Sequence, residues 1–414
     1  MRLQKYSIGT GDRFGCQGKA QLNAIIKAHE IGINIDIVWN KSYREHLITK
    51  TKPLDVLKEA QDAVRDLNWD GNYYIDADHV DLSNIDLFIE SSNYFTLDVA
   101  QFIGKKAPNK DIKNFIERYK HLTGEIIVPK TSKILNINME QLKAVAGNYL
   151  LAIKEAGKIN KKVEMKKGKD NFIVEISMDE TIKPQTPIEI LLILAAIADE
   201  KIPVQAIAPK FFGTFNKGVD YKGNIEQFTE QFDLILGIIQ FAKQELSLPD
   251  GLKLSIHSGS DKFSIYNTIN NLIKKFNTGI HLKTAGTTWL EELIGLAMSG
   301  YDGLTLAKEI YIKAYNRFDE LCKPYSMVID INKLKLPDPK IVANWTSEEY
   351  IRSLNHDLLC PDYNPNFRQL LHIGYKIAAE MGSRFRTNLK LYEDIIALNV
   401  SNNLFEKHIK KLFL

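Results

Sequence analysis

His79, His257 and His281 each stand at the end of a short apolar run with a strand-like pattern, whereas the other six histidines fall in helical patterns or in the C-terminal stretch. Any one of them alone is explained as well by a satisfied core histidine. Three imidazoles delivered from separate strand ends, however, suit a divalent cation of the Zn, Mn, Co or Ni kind. Acids accompany them. Asp76 and Asp78 share one face of their strand by its two-residue period, and so do Glu175, Ser177 and Asp179. Glu175 interrupts an apolar run, Phe-Ile-Val-Glu-Ile, where burying an unpaired carboxylate is costly. It is expected to point into a polar barrel centre, the alternative being an internal ion pair with a lysine such as Lys210. Carboxylates from two strands flanking a cation are what a proton acceptor and a proton donor require.

The densest stretch is Leu254–Tyr266, Leu-Ser-Ile-His-Ser-Gly-Ser-Asp-Lys-Phe-Ser-Ile-Tyr. Its strand runs into a small-residue turn, the usual mounting for chemistry at the end of a buried strand. With His257 as a ligand, Ser260, Asp261 and Lys262 are expected to form the rim of a substrate pocket. The basic groups Arg13, Arg44, Lys217, Lys262 and Lys283 suit a small anionic substrate carrying a carboxylate or phosphate.

The elements that would position these residues alternate regularly. Strand patterns occur at 6–9, 33–39, 72–79, 94–99, 171–177, 204–209, 252–257 and 279–283. Helical patterns follow at 17–30, 54–67, 81–90, 186–199, 224–246, 264–276 and 288–298. Strict alternation implies a parallel sheet with right-handed crossovers. Eight such units within residues 1–300 make a (β/α)8 barrel of the TIM type, whose strand ends converge on one mouth. A doubly wound open sheet is the alternative, but Gly9-Thr10-Gly11 lacks the third glycine and the distant acid of a dinucleotide turn. Residues 100–170 read as a helical insertion, with helices at 110–122 and 139–157, and the lysine-rich run 161–169 as a solvated turn. Residues 301–414 read as a helical extension, with helices at 303–321, 347–355, 366–381 and 390–412. That extension should pack on the barrel, capping its mouth or joining copies into a homo-oligomer.

Composition narrows the classes further. The chain has 414 residues, 44% hydrophobic and 25% charged, with a net charge of +3. That is too near neutrality, and its lysines too scattered, for a nucleic-acid binder. Cys16, Cys322 and Cys360 lie far apart, so neither a disulfide framework nor a cysteine zinc site is expected. The start, Met-Arg-Leu-Gln-Lys-Tyr, has no apolar signal region, and the most apolar segment, 188–198, is too short to span a bilayer. The expectation is a cytoplasmic protein with no membrane partner.

Several motifs together resemble the tagaturonate/fructuronate epimerase family. They are Gly9-Thr10-Gly11-Asp12-Arg13, Asp76-Ala77-Asp78-His79, Phe95-Thr96-Leu97-Asp98 and Glu175-Ile176-Ser177-Met178-Asp179-Glu180-Thr181. Asn216-Lys217-Gly218-Val219-Asp220-Tyr221, His257-Ser258-Gly259-Ser260-Asp261-Lys262-Phe263, His281-Leu282-Lys283-Thr284-Ala285-Gly286-Thr287 and Arg368-Gln369-Leu370-Leu371-His372 extend the likeness over nearly the whole chain. The resemblance implies a metal-dependent barrel epimerase that interconverts two ketohexuronates. On it, His79 and His257 are metal ligands with His281 the third, Asp78 is the proton acceptor and Glu175 the donor. Arg13, Ser42 and Lys217 line the substrate site. Other readings compatible with the residues are a related metal-dependent sugar isomerase, 3-epimerase or aldolase, and a non-catalytic sugar-acid-binding barrel.

Overall fold

The computed structural model describes residues 1–284 and 286–414; Ala285, within the motif that begins at His281, lies outside the described residues. Eight strands close a parallel barrel, as the alternation implies: β1 (Tyr6–Gly11), β2 (Ile35–Ser42), β3 (Tyr73–Val80), β4 (Tyr94–Asp98), β7 (Ile173–Ser177), β8 (Val204–Ala208), β9 (Lys253–Ile256) and β10 (Ile280–Leu282). Each strand pairs with its sequence neighbour in the barrel, and β1 closes the ring against β10. The strands are short and largely buried on both faces, as a helix-wrapped parallel sheet requires. Inside, Leu3, Val38, Tyr74, Tyr94 and Ile173 form an apolar plug.

Local sequence fixes several helix starts. Thr186 and Glu189 form a capping box ahead of Pro187–Asp199, with Pro187 in the first turn. Ser42 and Glu45 do the same for the helix Tyr43–Thr49, so the Ser42 hydroxyl serves a helix end. The helix Gly18–Glu30 has no cap from Gln17. Instead the Asp12 carboxylate accepts from the backbone N–H groups of Phe14, Gly15, Cys16 and Gln17.

Between β4 and β7 the chain makes its long excursion: a helix at Asn109–Tyr119, an antiparallel hairpin of β5 (Gly124–Ile127) and β6 (Ile134–Ile137), and a helix at Met139–Lys167. Two expectations are corrected here. The hairpin was not foreseen, and the lysine-rich run is the last turns of that long helix, which ends at Gly168 in the left-handed region (φ +81°). The expected helix at 81–90 is also absent; only a short 3-10 turn, Ile85–Leu87, forms. Asp81 accepts from Ser83 N–H and Asn84 Oδ1 accepts from Asp81 N–H, the pairing of a helix start, but only the 3-10 turn follows it.

After β10 the helix Thr288–Met298 leads into an all-helical extension. Its Trp289, Leu290 and Leu293 pack with Tyr311, Tyr350, Phe367 and Phe385 in a second core. The chain end then returns, placing Leu404, Ile409, Leu412 and Phe413 in the barrel's core. The expected single helix over 390–412 is broken into Ser383–Leu391, Glu393–Asn402, a π-helical Asn403–Ile409 and a last turn. The three cysteines are unpaired. Among the described residues, no helix is long and apolar enough to cross a membrane.

Candidate active site

Strand register decides which side chains meet at the mouth. Ser177 ends β7, and Asp179 continues its inward face two residues on. In β3 the residues Asp78 and His79 together oppose the single Thr96 of β4, since Ala77 pairs with Phe95 and Val80 with Leu97. That is a β-bulge, and His79 within it adopts φ +55°. The bulge brings two neighbours in sequence to bear on one place. Ser258 (φ +48°), Asp261 (φ +62°) and Thr284 (φ +57°) show the same left-handed backbone just beyond β9 and β10. Such conformations cost side-chain-bearing residues energy and collect where function needs them.

One cluster of possible metal ligands results. A nitrogen of His79, a carboxylate oxygen of Asp179 and a nitrogen of His257 all lie within 4.8 Å of one another. His257 Nδ1 stands 3.1 Å from Asp179 Oδ1, while its Nε2 hydrogen-bonds Glu175 Oε1. A carboxylate on the far nitrogen is what orients a metal-binding imidazole. His79 has Asp78 at 3.7 Å and Asp98 at 3.9 Å. Two imidazoles and a carboxylate suit Zn, Mn, Co or Ni, and the nearby acids balance the charge of such an ion.

His281 is not brought to this cluster. Its partner across the sheet is Ser255, two residues before His257, which puts it about 6–7 Å deeper in the barrel. There its Nδ1 hydrogen-bonds Ser7 Oγ at 2.9 Å, and burial holds it down to about 3, a neutral ring. Asp179 takes the third place. Its signal was present in the sequence, since it shares the inward face of Glu175.

Lys283, two residues above His281, occupies the centre. Its ammonium lies 2.7 Å from Asp76, 2.8 Å from Asp78 and 3.8 Å from Glu175, and hydrogen-bonds Thr96 Oγ1. Glu175 therefore has a lysine partner, but it is Lys283 and not Lys210. Lys283 is fully buried, yet these acids raise it above its ordinary range. In return, against the opposing effect of burial, Lys283 and then His79 pull Asp78 down. Burial raises Asp76, which accepts from Thr96 Oγ1 at 2.9 Å. Glu175 is held low against its burial by Lys283 and His257, and it accepts from Tyr94 OH. The strands must approach closely for this: a Cβ at Gly9 would lie 2.9 Å from Asn40 Nδ2 and 3.2 Å from the Lys283 backbone.

The expected rim residues after β9 are turned elsewhere. Asp261 is fully buried against Arg368 at 3.0 Å, with His356 at 3.5 Å and His408 at 3.8 Å. The Lys262 ammonium is spent on three carbonyls, those of Asn216, Val219 and Ser260, at 2.7–2.8 Å. Ser260 Oγ meets His408 Nε2 at 3.3 Å. Asp261, through Arg368, His356 and His408, and Ser260, through His408, tie the helical extension to the barrel, while Lys262 is held by the barrel's own loops. Arg13 pairs with Glu45 at 3.2 Å and stacks on Tyr375 at 4.5 Å, and Arg44 lies against Tyr325 at 5.4 Å. Lys217 is lowered by burial and by Arg13, opposed by Glu45, Asp78 and Asp179. Of the tail residues at this edge, His372 lies in the Arg368–His372 motif, whereas Tyr325 and Tyr375 carried no signal in the sequence.

The fold and its mouth define a TIM-type barrel with an acid–lysine–histidine centre and a preformed set of metal-ligand types. The tagaturonate epimerase family profile matches residues 1–413, and the chain belongs to that family. A tagaturonate/fructuronate epimerase of Thermotoga maritima is 27% identical over 422 residues, covering 98% of this chain and 79% of that protein. Crystal structures of the fructuronate-tagaturonate epimerase of Cohnella laeviribosi share the fold at 24% identity. The form with one glycerol superposes with a TM-score of 0.81 over 100% of this chain and 82% of that one, and the native form with 0.79.

Proposed function

We propose that this protein interconverts D-tagaturonate and D-fructuronate by epimerisation at C4, using a divalent cation held by His79, Asp179 and His257. The observation that carries this reading is the meeting of Asp78, Glu175 and Lys283 beside that ligand cluster, in a chain of this family.

The two uronates differ only at C4, which is β to the C2 ketone. Removing a proton from C4 itself would leave a carbanion that the ketone cannot delocalise. Removing it from the C4 hydroxyl is productive: the C3–C4 bond breaks, its electron pair passes to C3 and the C2 carbonyl as an enediolate, and C4 becomes an aldehyde. The aldehyde turns, C3 adds to its other face, and the new C4 alkoxide takes a proton. The cation, when bound, supplies Lewis acidity toward the C2 carbonyl and C3 hydroxyl.

Asp78 is the acceptor, because Lys283 keeps it ionised at the mouth. Glu175 is the donor by resemblance. Lys283 and His257 keep its own carboxyl ionised, so the proton it delivers to the new alkoxide is balanced by the one that Asp78 took up, Lys283 standing between the two carboxylates. Arg13 and Lys217 supply positive charge for the uronate carboxylate.

The test is turnover of both uronates before chelation, after chelation and after restoring Mn2+ or Zn2+. Activity lost with the metal and regained with it is the expected result. Full activity in protein stripped of metal would remove the cation from the proposal, and no turnover under any condition would remove the epimerase.

A further inference from the structure

The helix Pro365–Ile373 of the extension is bolted to the barrel by Arg368. This fully buried side chain donates to the carbonyls of Gly218 and Leu354 at 2.5 and 2.7 Å, to Thr287 Oγ1 at 2.8 Å and to Asp261 at 3.0 Å. Trp289 Nε1 adds a bond to Leu371 O at 2.7 Å. One turn beyond Arg368, His372 lies directly on the loop that carries Lys217. A Cβ at Gly218 would come within 2.9 Å of His372 Cδ2. Its neighbour Tyr375 holds the Arg13 guanidinium on its ring face at 4.5 Å.

His372 is only 6% exposed, and its Nδ1 is buried without a hydrogen-bond partner among the described residues. A buried nitrogen left unpaired is a standing penalty that an apolar side chain of similar size would avoid. Burial, then the positive charges of Arg13 and Lys217, hold the ring well below its ordinary value, so it is a neutral imidazole with one N–H donor and one acceptor. Arg13 is held by Tyr375 and Glu45, whereas Lys217 carries its charge on a flexible stem. A neutral donor packed against the Lys217 loop and next to Tyr375 adds direction to the recognition of a carboxylate.

We propose that His372 is a specificity-determining residue that hydrogen-bonds the carboxylate end of the sugar-acid substrate between Arg13 and Lys217. The extension is then one wall of the substrate site. The inference rests on the reading of the mouth as a uronate site, but it concerns binding and not the chemical step.

The experiment is calorimetric binding of D-fructuronate, and of neutral D-fructose for comparison, to wild type, His372→Phe and His372→Gln, with melting temperature and metal content measured alongside. His372→Phe should weaken fructuronate roughly tenfold to a hundredfold, as expected for a hydrogen bond to a charged group. Fructose binding, metal content and melting temperature should stay near wild type, and His372→Gln should recover part of the loss. In turnover the change should appear in KM, with kcat within a few-fold. If His372→Phe fails to fold, His372→Gln carries the test by the same comparison. Fructuronate binding unchanged in the folded variants, or fructuronate and fructose weakened equally, would overturn the proposal. Wild type that binds fructuronate through His372 yet epimerises neither uronate would sink the epimerase reading and uphold this one. Wild type that binds no uronate would overturn it.

Discussion

Lys283 sets the charge state of the mouth. With Asp76 and Asp78 under 3 Å away and Glu175 at 3.8 Å, its buried ammonium holds their negative charge together. The ligand assignment is the sharpest claim at this scale. His257→Ala and Asp179→Asn are expected to lose bound metal after dialysis, measured by plasma mass spectrometry, while His281→Asn retains it. Metal lost from His281→Asn but kept in Asp179→Asn would return the third position to His281. Glu175→Gln should keep its metal and lose turnover by about 10²–10⁴-fold, the usual worth of a positioned acid or base. Retained turnover would strip Glu175 of its role. That His79, His257, Asp78 and Glu175 meet at one mouth was legible because residue type and strand position both pointed there. His281 misled because strand ends in sequence are not level in space: β10 pairs with β9 so that His281 meets Ser255. Asp261 and Lys262 misled because a polar loop at a strand end can serve another element as readily as a ligand.

At the scale of elements, the barrel was legible almost throughout, since its strands are short, largely buried runs that alternate with helical patterns. The hairpin of β5 and β6 was not, because its four-residue strands are largely exposed and carry no long apolar run. The expected helix at 81–90 has a capped start at Asp81 and Asn84 but only a 3-10 turn behind it. The joint between barrel and extension is a buried ion pair with nothing in the local sequence to announce it. Asp261→Ala should cost about 3–5 kcal/mol in urea unfolding, because the Arg368 guanidinium is left buried and unpaired. A loss below about 1 kcal/mol, the range of an exposed pair, would mean that the joint does not depend on this pair.

At the scale of the molecule, two apolar cores share one chain, and the last turns of the extension return to the first core. Buried histidines make this packing sensitive to pH. Burial pulls His408 down to about 4, with Lys407 and Arg368 adding to the effect and Asp261 opposing it. Burial and Lys41 bring His46 to about 4 as well, opposed by Glu45 and Asp55. Exposed imidazoles titrate near ~6.5, so between those values the unfolded chain binds protons that the folded chain refuses. This contribution to stability is complete above pH ~6.5 and is lost as the pH falls toward 4. Melting temperature should fall over that window, and less steeply in His408→Gln. An equal slope in that variant would acquit His408.

The central claim is that this mouth inverts C4 of a ketohexuronate by opening and remaking the C3–C4 bond. Its most direct test is NMR of D-tagaturonate incubated with the metal-loaded protein in D2O. The account predicts D-fructuronate with no deuterium at C4, whether or not some enters at C3. Deuterium at C4 of the product, or the absence of any C4 epimer, would contradict it.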